Sequence, residues 1–198
     1  MSRNATVGRK TGETDIQVAV DLDGTGVHEI HTGMAFLDHM LAALGRHARF
    51  DVRVKASGDL AVDFHHTVED VGLVLGQAVL EALGDKAGIA RFGAARVPMD
   101  DSLAWVALDL GGRPYLVYQA PQLKGGRAGD FDLDLVREFF QGLTNQLRAN
   151  VHVQVEYGLN LHHMAEAAFK ALGRALGEAT RLDPRLSGAV PSTKGTLA

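Results

Sequence analysis

The chain has 198 residues, a formal net charge of −4 and no cysteine. Its length suits one sizeable core or two small fused ones, and its weak acidity argues against the basic field that a nucleic-acid binder needs. Disulfides, thiolate nucleophiles and thiolate metal sites are excluded, so any metal ligand must be His, Asp, Glu or water.

In chain order, Ile16 to Leu22 alternates as a strand, and Asp23-Gly24 marks a turn. Phe36 to Arg46 has the apolar spacing of three and four that predicts a helix, and Phe50 to Lys55 reads as a strand. Thr67 to Leu83 predicts a second helix. Its apolar run, Val71 to Leu83, is broken by Gln77 and Glu81, too short and too polar for a membrane span. Met1 to Lys10 lacks the apolar stretch of a signal peptide, so a soluble, cytoplasmic protein is expected. Leu103 to Leu110 and Tyr115 to Gln119 predict strands on either side of a Gly111-Gly112 turn. Leu133 to Leu147, Val151 to Glu156 and Met164 to Thr180 predict a helix, a strand and a helix.

The order of elements repeats, and so does the sequence. Val18-Ala19-Val20-Asp21-Leu22-Asp23-Gly24 lines up with Val106-Ala107-Leu108-Asp109-Leu110-Gly111-Gly112, and Val52-Arg53-Val54 with Val151-His152-Val153. His65-His66-Thr67-Val68-Glu69 lines up with His162-His163-Met164-Ala165-Glu166. The expected fold is α+β: a tandem duplication of a small half-domain, each a β-sheet covered on one face by two helices. The boundary falls near residue 90, giving halves 1–90 and 91–198 that form one compact unit.

The histidines are residues 28, 31, 39, 47, 65, 66, 152, 162 and 163. Four of them form the two His-His-x-x-Glu motifs, a pattern that suits a nitrogen- and carboxylate-bound metal such as Mn, Fe, Co or Zn. On a helix, positions i and i+4 share a face, while i+1 points about 100° away. His65 and Glu69 therefore converge on one ion, and His162 and Glu166 on another. The simplest arrangement exchanges the odd histidines, so His163 joins the first set and His66 the second. Whether the halves meet within one chain or between chains is left open by the sequence. The repeat supplies a fourth ligand for each: His39 for the site of His66, His162 and Glu166, and Glu138 for the site of His65, His163 and Glu69. His39 and Glu138 each precede an aligned leucine, Leu44 and Leu143, by five residues. Four protein ligands on an octahedral ion leave positions open for substrate and water, as in a catalytic site.

Phe36-Leu37-Asp38-His39-Met40-Leu41, Phe64-His65-His66-Thr67-Val68-Glu69-Asp70-Val71-Gly72, Pro98-Met99-Asp100-Asp101, the His162-His163-x-x-Glu166 helix and Pro191-Ser192-Thr193-Lys194-Gly195 together resemble the imidazoleglycerol-phosphate dehydratases, over essentially the whole chain. The resemblance implies two Mn²⁺ ions per subunit, held where subunits meet, and a 24-subunit octahedral shell of identical chains. It implies a hydro-lyase of histidine biosynthesis that converts imidazole glycerol phosphate to imidazole acetol phosphate, with the substrate's imidazole bound between the metals as an imidazolate. It also implies an acid/base role for Glu13, in Arg9-x-Thr11-x-Glu13-Thr14, and a phosphate-binding set of Arg91, Arg113, Ser192 and Lys194, whose guanidinium, hydroxyl and ammonium groups suit phosphate. His47 and Asp100 also fall in matching motifs, as weaker candidates. Many members of that family carry His where this chain has Glu138. Two other functions compete with this one. A non-catalytic metal-binding shell accounts for the His-Glu clusters but not for Glu13 or the phosphate set. A two-metal phosphohydrolase usually bridges its ions with a carboxylate, and no Asp-rich motif provides one. An oxidoreductase is disfavoured, because no dinucleotide fingerprint follows a strand.

Overall fold

The computed structural model describes residues 2–197. Strand β1 (Asn4–Lys10) turns into β2 (Thr14–Asp21), and β3 (His28–His31) leads into helix α1 (Ala35–Ala48). Strand β4 (Asp51–Gly58) and helix α2 (His65–Leu83) follow. The same succession then recurs as β5 (Phe92–Met99), β6 (Ser102–Asp109) and β7 (Tyr115–Gln119). A small hairpin of β8 (Arg127–Ala128) and β9 (Phe131–Asp132) is inserted before helix α3 (Leu135–Leu147), strand β10 (Asn150–Tyr157) and helix α4 (Leu161–Ala179). The two four-stranded sheets have the orders β1-β2-β4-β3 and β5-β6-β10-β7, so each half repeats the other's topology.

Alternation sets the faces of the central strands. Ile16, Val18 and Val20 of β2, and Ala104, Val106 and Leu108 of β6, point inward and are buried. The Asp23-Gly24 and Gly111-Gly112 turns do not close hairpins. The fourth strand of each half, β4 or β10, inserts between its neighbours: β3 runs parallel to β4, and β7 parallel to β10. Besides the short β8–β9 hairpin, three strands of the two main sheets escape the hydrophobic pattern, namely β1, β3 and β5. All three are sheet edges. An edge strand buries little and tolerates charge and proline, as His28–His31 and Pro98 show.

The helices form a layer between the two sheets, and they pair across the halves: α1 packs on α4, and α2 on α3. Glycines make these crossings possible. A Cβ on Gly173 of α4 would lie 2.5 Å from the Leu44 carbonyl oxygen of α1, and one on Gly76 of α2 would strike the Leu143 carbonyl oxygen of α3. Leu44 and Leu143 are the leucines that fix the repeat. The crossings therefore put His39 beside Glu166 and give Glu138 the same place relative to Glu69, by the same count along each helix. Phe139, Phe140 and Phe169 stack at the centre of the helix layer, with ring centroids 5.0 to 5.9 Å apart.

Candidate metal centre

Helix α4 begins at the second His-His-x-x-Glu motif. The Asn160 side chain caps it, accepting from the backbone N–H groups of His162 (2.9 Å) and His163 (3.3 Å). That cap places His162 and Glu166 one turn apart, and their Nε2 and Oε2 atoms lie 3.2 Å apart. From α1, His39 brings its Nε2 to 3.3 Å from the same carboxylate oxygen. The entry to α1 is fixed by Asp38, which accepts from the Thr32 N–H (2.9 Å) and hydroxyl (2.6 Å). Phe36 meets the His162 ring edge-on at 5.3 Å and holds it from behind.

His39, His162 and Glu166 offer ligand atoms all within 4.8 Å of one another, and among the described residues they form the one such group. Ligands about 2.1 Å from an octahedral ion stand about 3 Å apart when adjacent. The two imidazole–carboxylate spacings fit one face of such an ion, so these residues suit a divalent metal. Glu166 is buried. Burial alone raises its pKa, but Lys170, whose Nζ sits 2.8 Å from Oε1, and His39 outweigh burial and hold the carboxyl below its ordinary value. Lys170 escaped the sequence reasoning. Its only signal was its position four residues after Glu166. A cleft of about 640 Å³ opens beside the group, lined by Phe36, His39, Arg127, Asp130, Asn160 and His162.

The first motif opens α2, where Asp63 accepts from the His65 N–H at 2.8 Å. His65, Glu69 and Glu138 are not gathered as closely as their counterparts, and Glu138 Oε1 is taken by Arg137 at 3.2 Å. The second histidine of each pair does aim elsewhere. His66 directs Nδ1 to Asp59 (3.0 Å), with Glu13 3.8 Å away, and the Asp59 hydrogen bond is the main cause of its raised pKa. His163 directs Nδ1 to Asp101 at 2.6 Å, and Asp100 lies 3.7 Å from its Nε2. The backbone N–H of Asn160, then the His163 ring and the Leu159 N–H, hold the Asp101 carboxyl well below the usual carboxylate range. Neither His66 nor His163 reaches the His39–His162–Glu166 group within this chain. His47 lies near the end of α1, where burial, Lys170 and Arg174 lower its pKa.

The Arg9-x-Thr11-x-Glu13-Thr14 segment is the β1–β2 hairpin, and Asp70 of α2 clasps it. The buried Asp70 carboxylate takes Arg9 Nε at 2.9 Å and the Thr14 hydroxyl. Thr11 Oγ1 accepts the N–H groups of Glu13 (3.1 Å) and Thr14 (3.0 Å). Glu13 is thereby presented, exposed, at the N-terminal end of α2.

Arg91 lies at the other end of the molecule. Its N–H bonds to the Ala179 carbonyl that ends α4, and its guanidinium pairs with both Asp109 oxygens (2.7 and 3.1 Å) and donates to Pro191 O at 2.9 Å. This contact brings the tail with Ser192 and Lys194 close to Arg91. Exposed Arg113 is nearby, since Asn150, the register partner of Asp109, donates to its carbonyl at 2.6 Å. From Glu166 to Ala179 the helix rises about 20 Å. A single chain therefore holds the His39–His162–Glu166 group far from Arg91, Arg113, Ser192 and Lys194, the residues expected to bind phosphate.

The fold and this site together define a duplicated α+β protein carrying a histidine–carboxylate group suited to a divalent metal. The sequence model of the imidazoleglycerol-phosphate dehydratases matches residues 32–176. The chain is 57% identical over 199 residues to the Geobacter metallireducens imidazoleglycerol-phosphate dehydratase, and 56% over 197 to that of Geobacter sulfurreducens, with each chain covered in full. Two crystal structures share the fold. The Staphylococcus aureus enzyme has a TM-score of 0.82 at 37% identity, covering 91% of this chain and 99% of its own. The Pyrococcus furiosus enzyme, solved with (S)-C348, has a TM-score of 0.80 at 39% identity, covering 96% and 99%. The chain belongs to the imidazoleglycerol-phosphate dehydratase family.

Proposed function

We propose that this chain carries out its family's reaction, the dehydration of D-erythro-imidazole glycerol phosphate to imidazole acetol phosphate in histidine biosynthesis, with two Mn²⁺ per subunit in a large homo-oligomer. The carrying observation is the convergence of His39, His162 and Glu166 in a chain that matches that family's members along their whole length. His66 of a second copy completes this site. His65, Glu69 and Glu138, with His163 of another copy, form the second. The split of the metal group from Arg91, Arg113, Ser192 and Lys194 favours assembly, because the short carbon chain between the substrate's ring and phosphate cannot span about 20 Å. One copy's phosphate set serves another copy's metals, and the 24-subunit shell provides the juxtaposition. The halves divide at about residue 90, as 1–90 and 91–198. Among the described residues no helix is long and apolar enough to cross a membrane, which is compatible with a cytoplasmic enzyme.

A bound divalent metal would stabilise negative charge developing on the substrate's imidazole. The chain supplies the rest. Arg91, Arg113, Ser192 and Lys194 grip the phosphate and orient the carbon chain. Glu13 takes the proton from the carbon that loses it and returns a proton to the departing hydroxyl, which leaves as water, and the enol left behind tautomerises to the ketone. The test is a dehydration assay on Mn²⁺-loaded protein, with a chelated control and re-addition of Mn²⁺. Turnover that vanishes and returns supports the reading. Absent turnover with metal bound would leave a metal-binding shell without chemistry.

A further inference from the structure

The duplication places a carboxylate at the same point of each half, just before the strand that opens with Thr14 or Ser102: Glu13 in one, Asp101 in the other. The two have different tasks. Asp101 Oδ1 accepts from His163 Nδ1 at 2.6 Å. Its Oδ2 takes three donors, the N–H of Leu159 (2.6 Å), the N–H of Asn160 (2.9 Å) and the Ser102 hydroxyl (3.0 Å). In the first half Glu13 stands off at 3.8 Å, and Asp59 takes the corresponding bond from His66 Nδ1 at 3.0 Å. Asp59 is itself tied to the hairpin, its N–H donating to Glu13 O at 3.1 Å. Its second oxygen, Oδ1, is buried and has no hydrogen-bond partner among the described residues.

We propose that Asp101 and Asp59 are positioning residues that hold the protons of His163 and His66 on Nδ1, so that each ring offers an unprotonated Nε2 to a metal. The proposal rests on the metal reading of those two histidines. A neutral imidazole has one donor and one acceptor nitrogen, and the partner of one decides the state of the other. Hydrogen bonding of the ring's far nitrogen to a carboxylate also raises its basicity as a ligand. In this arrangement Asp59 fixes His66 and leaves Glu13 free for proton transfer.

The two locks differ, and the difference makes the test specific. In Asp101→Asn the amide oxygen stays with the three donors around Oδ2, because an NH₂ there would face three donors. The NH₂ then points at His163 Nδ1, which must become an acceptor, and the ring proton moves to Nε2, the metal's nitrogen. In Asp59→Asn the oxygen remains on His66, and the NH₂ takes the position of Oδ1, where no donor opposes it.

Equilibrium dialysis of Mn²⁺ against the assembled protein reads this directly. Wild type should bind in two site classes. Asp101→Asn should weaken one class by about 10- to 100-fold, and Asp59→Asn should change binding by no more than about threefold. In a His163→Gln background, adding Asp101→Asn should have no further effect. Equal affinity of Asp101→Asn and wild type, or equal losses in the two Asn variants, would overturn the proposal while leaving the metal reading intact. A wild type that binds no divalent metal would overturn both. A crystal structure of the Mn²⁺-loaded wild type needs no variant to fold: Nε2 ligation by His163 and His66 supports the proposal, and Nδ1 ligation overturns it.

Discussion

Asp70→Ala should loosen the hairpin that presents Glu13. Asp70 is 7% exposed and is the acceptor for both Arg9 and Thr14. Hydrogen bonds to a charged group contribute about 1.5–3 kcal/mol each. The Arg9 side chain is 47% exposed, so its bond falls at the lower end. The two losses are not independent, and the expected destabilisation is about 2–4 kcal/mol. Asp70→Asn keeps an acceptor and should cost roughly half of that by the same reasoning. Urea unfolding followed by far-UV circular dichroism, at one fixed protein concentration, measures the difference, because an oligomer's midpoint shifts with concentration. Turnover should fall in the same order, alanine below asparagine, since Glu13 depends on the clasp for its place. If Asp70→Ala stayed within about 0.5 kcal/mol of wild type with unchanged turnover, the hairpin would not owe its position to Asp70.

Glu13→Gln should abolish turnover while leaving Mn²⁺ binding and assembly unchanged, checked by assay, dialysis and light scattering together. His162→Ala should weaken Mn²⁺ at one site class by more than the roughly 10- to 100-fold typical of losing a ligand's hydrogen-bond partner, as equilibrium dialysis would report. Gly173→Ala, whose Cβ would sit 2.5 Å from Leu44 O, should destabilise by about 1–3 kcal/mol in urea and lower Mn²⁺ affinity, because the α1–α4 crossing sets the His39–Glu166 approach. The Asp51 carboxyl is held below its ordinary pKa chiefly by the backbone N–H groups of Thr25 and Val27. A depressed carboxyl contributes stability that is full above about pH 4 and fades as pH falls through the lower folded value. Unfolding of Asp51→Ala against wild type should therefore show a gap at pH 7 that narrows in acid.

The sequence by itself determined the duplication, the four helices, the central strands and the His and Glu side chains that converge at the helix crossing. Those properties live in local periodicity, in the helical i, i+4 relation of His162 to Glu166, and in the matched motifs, all of which are legible one residue at a time. The same counting placed Glu138 opposite His39, and the glycine crossings at Leu44 and Leu143 reproduce that register. The edge strands β1, β3 and β5 were not legible, because a strand with one free side needs no hydrophobic alternation. Only the tertiary structure decided that helices pair across the halves, which gathers His39 from one half with His162 and Glu166 from the other. It alone showed Lys170 on Glu166, Asp59 on His66 and Asp101, from a distant turn, on His163. The His39–Glu166 and Asp101–His163 contacts join segments tens of residues apart. No local pattern encodes them, because they follow from how two sheets close over one layer of helices.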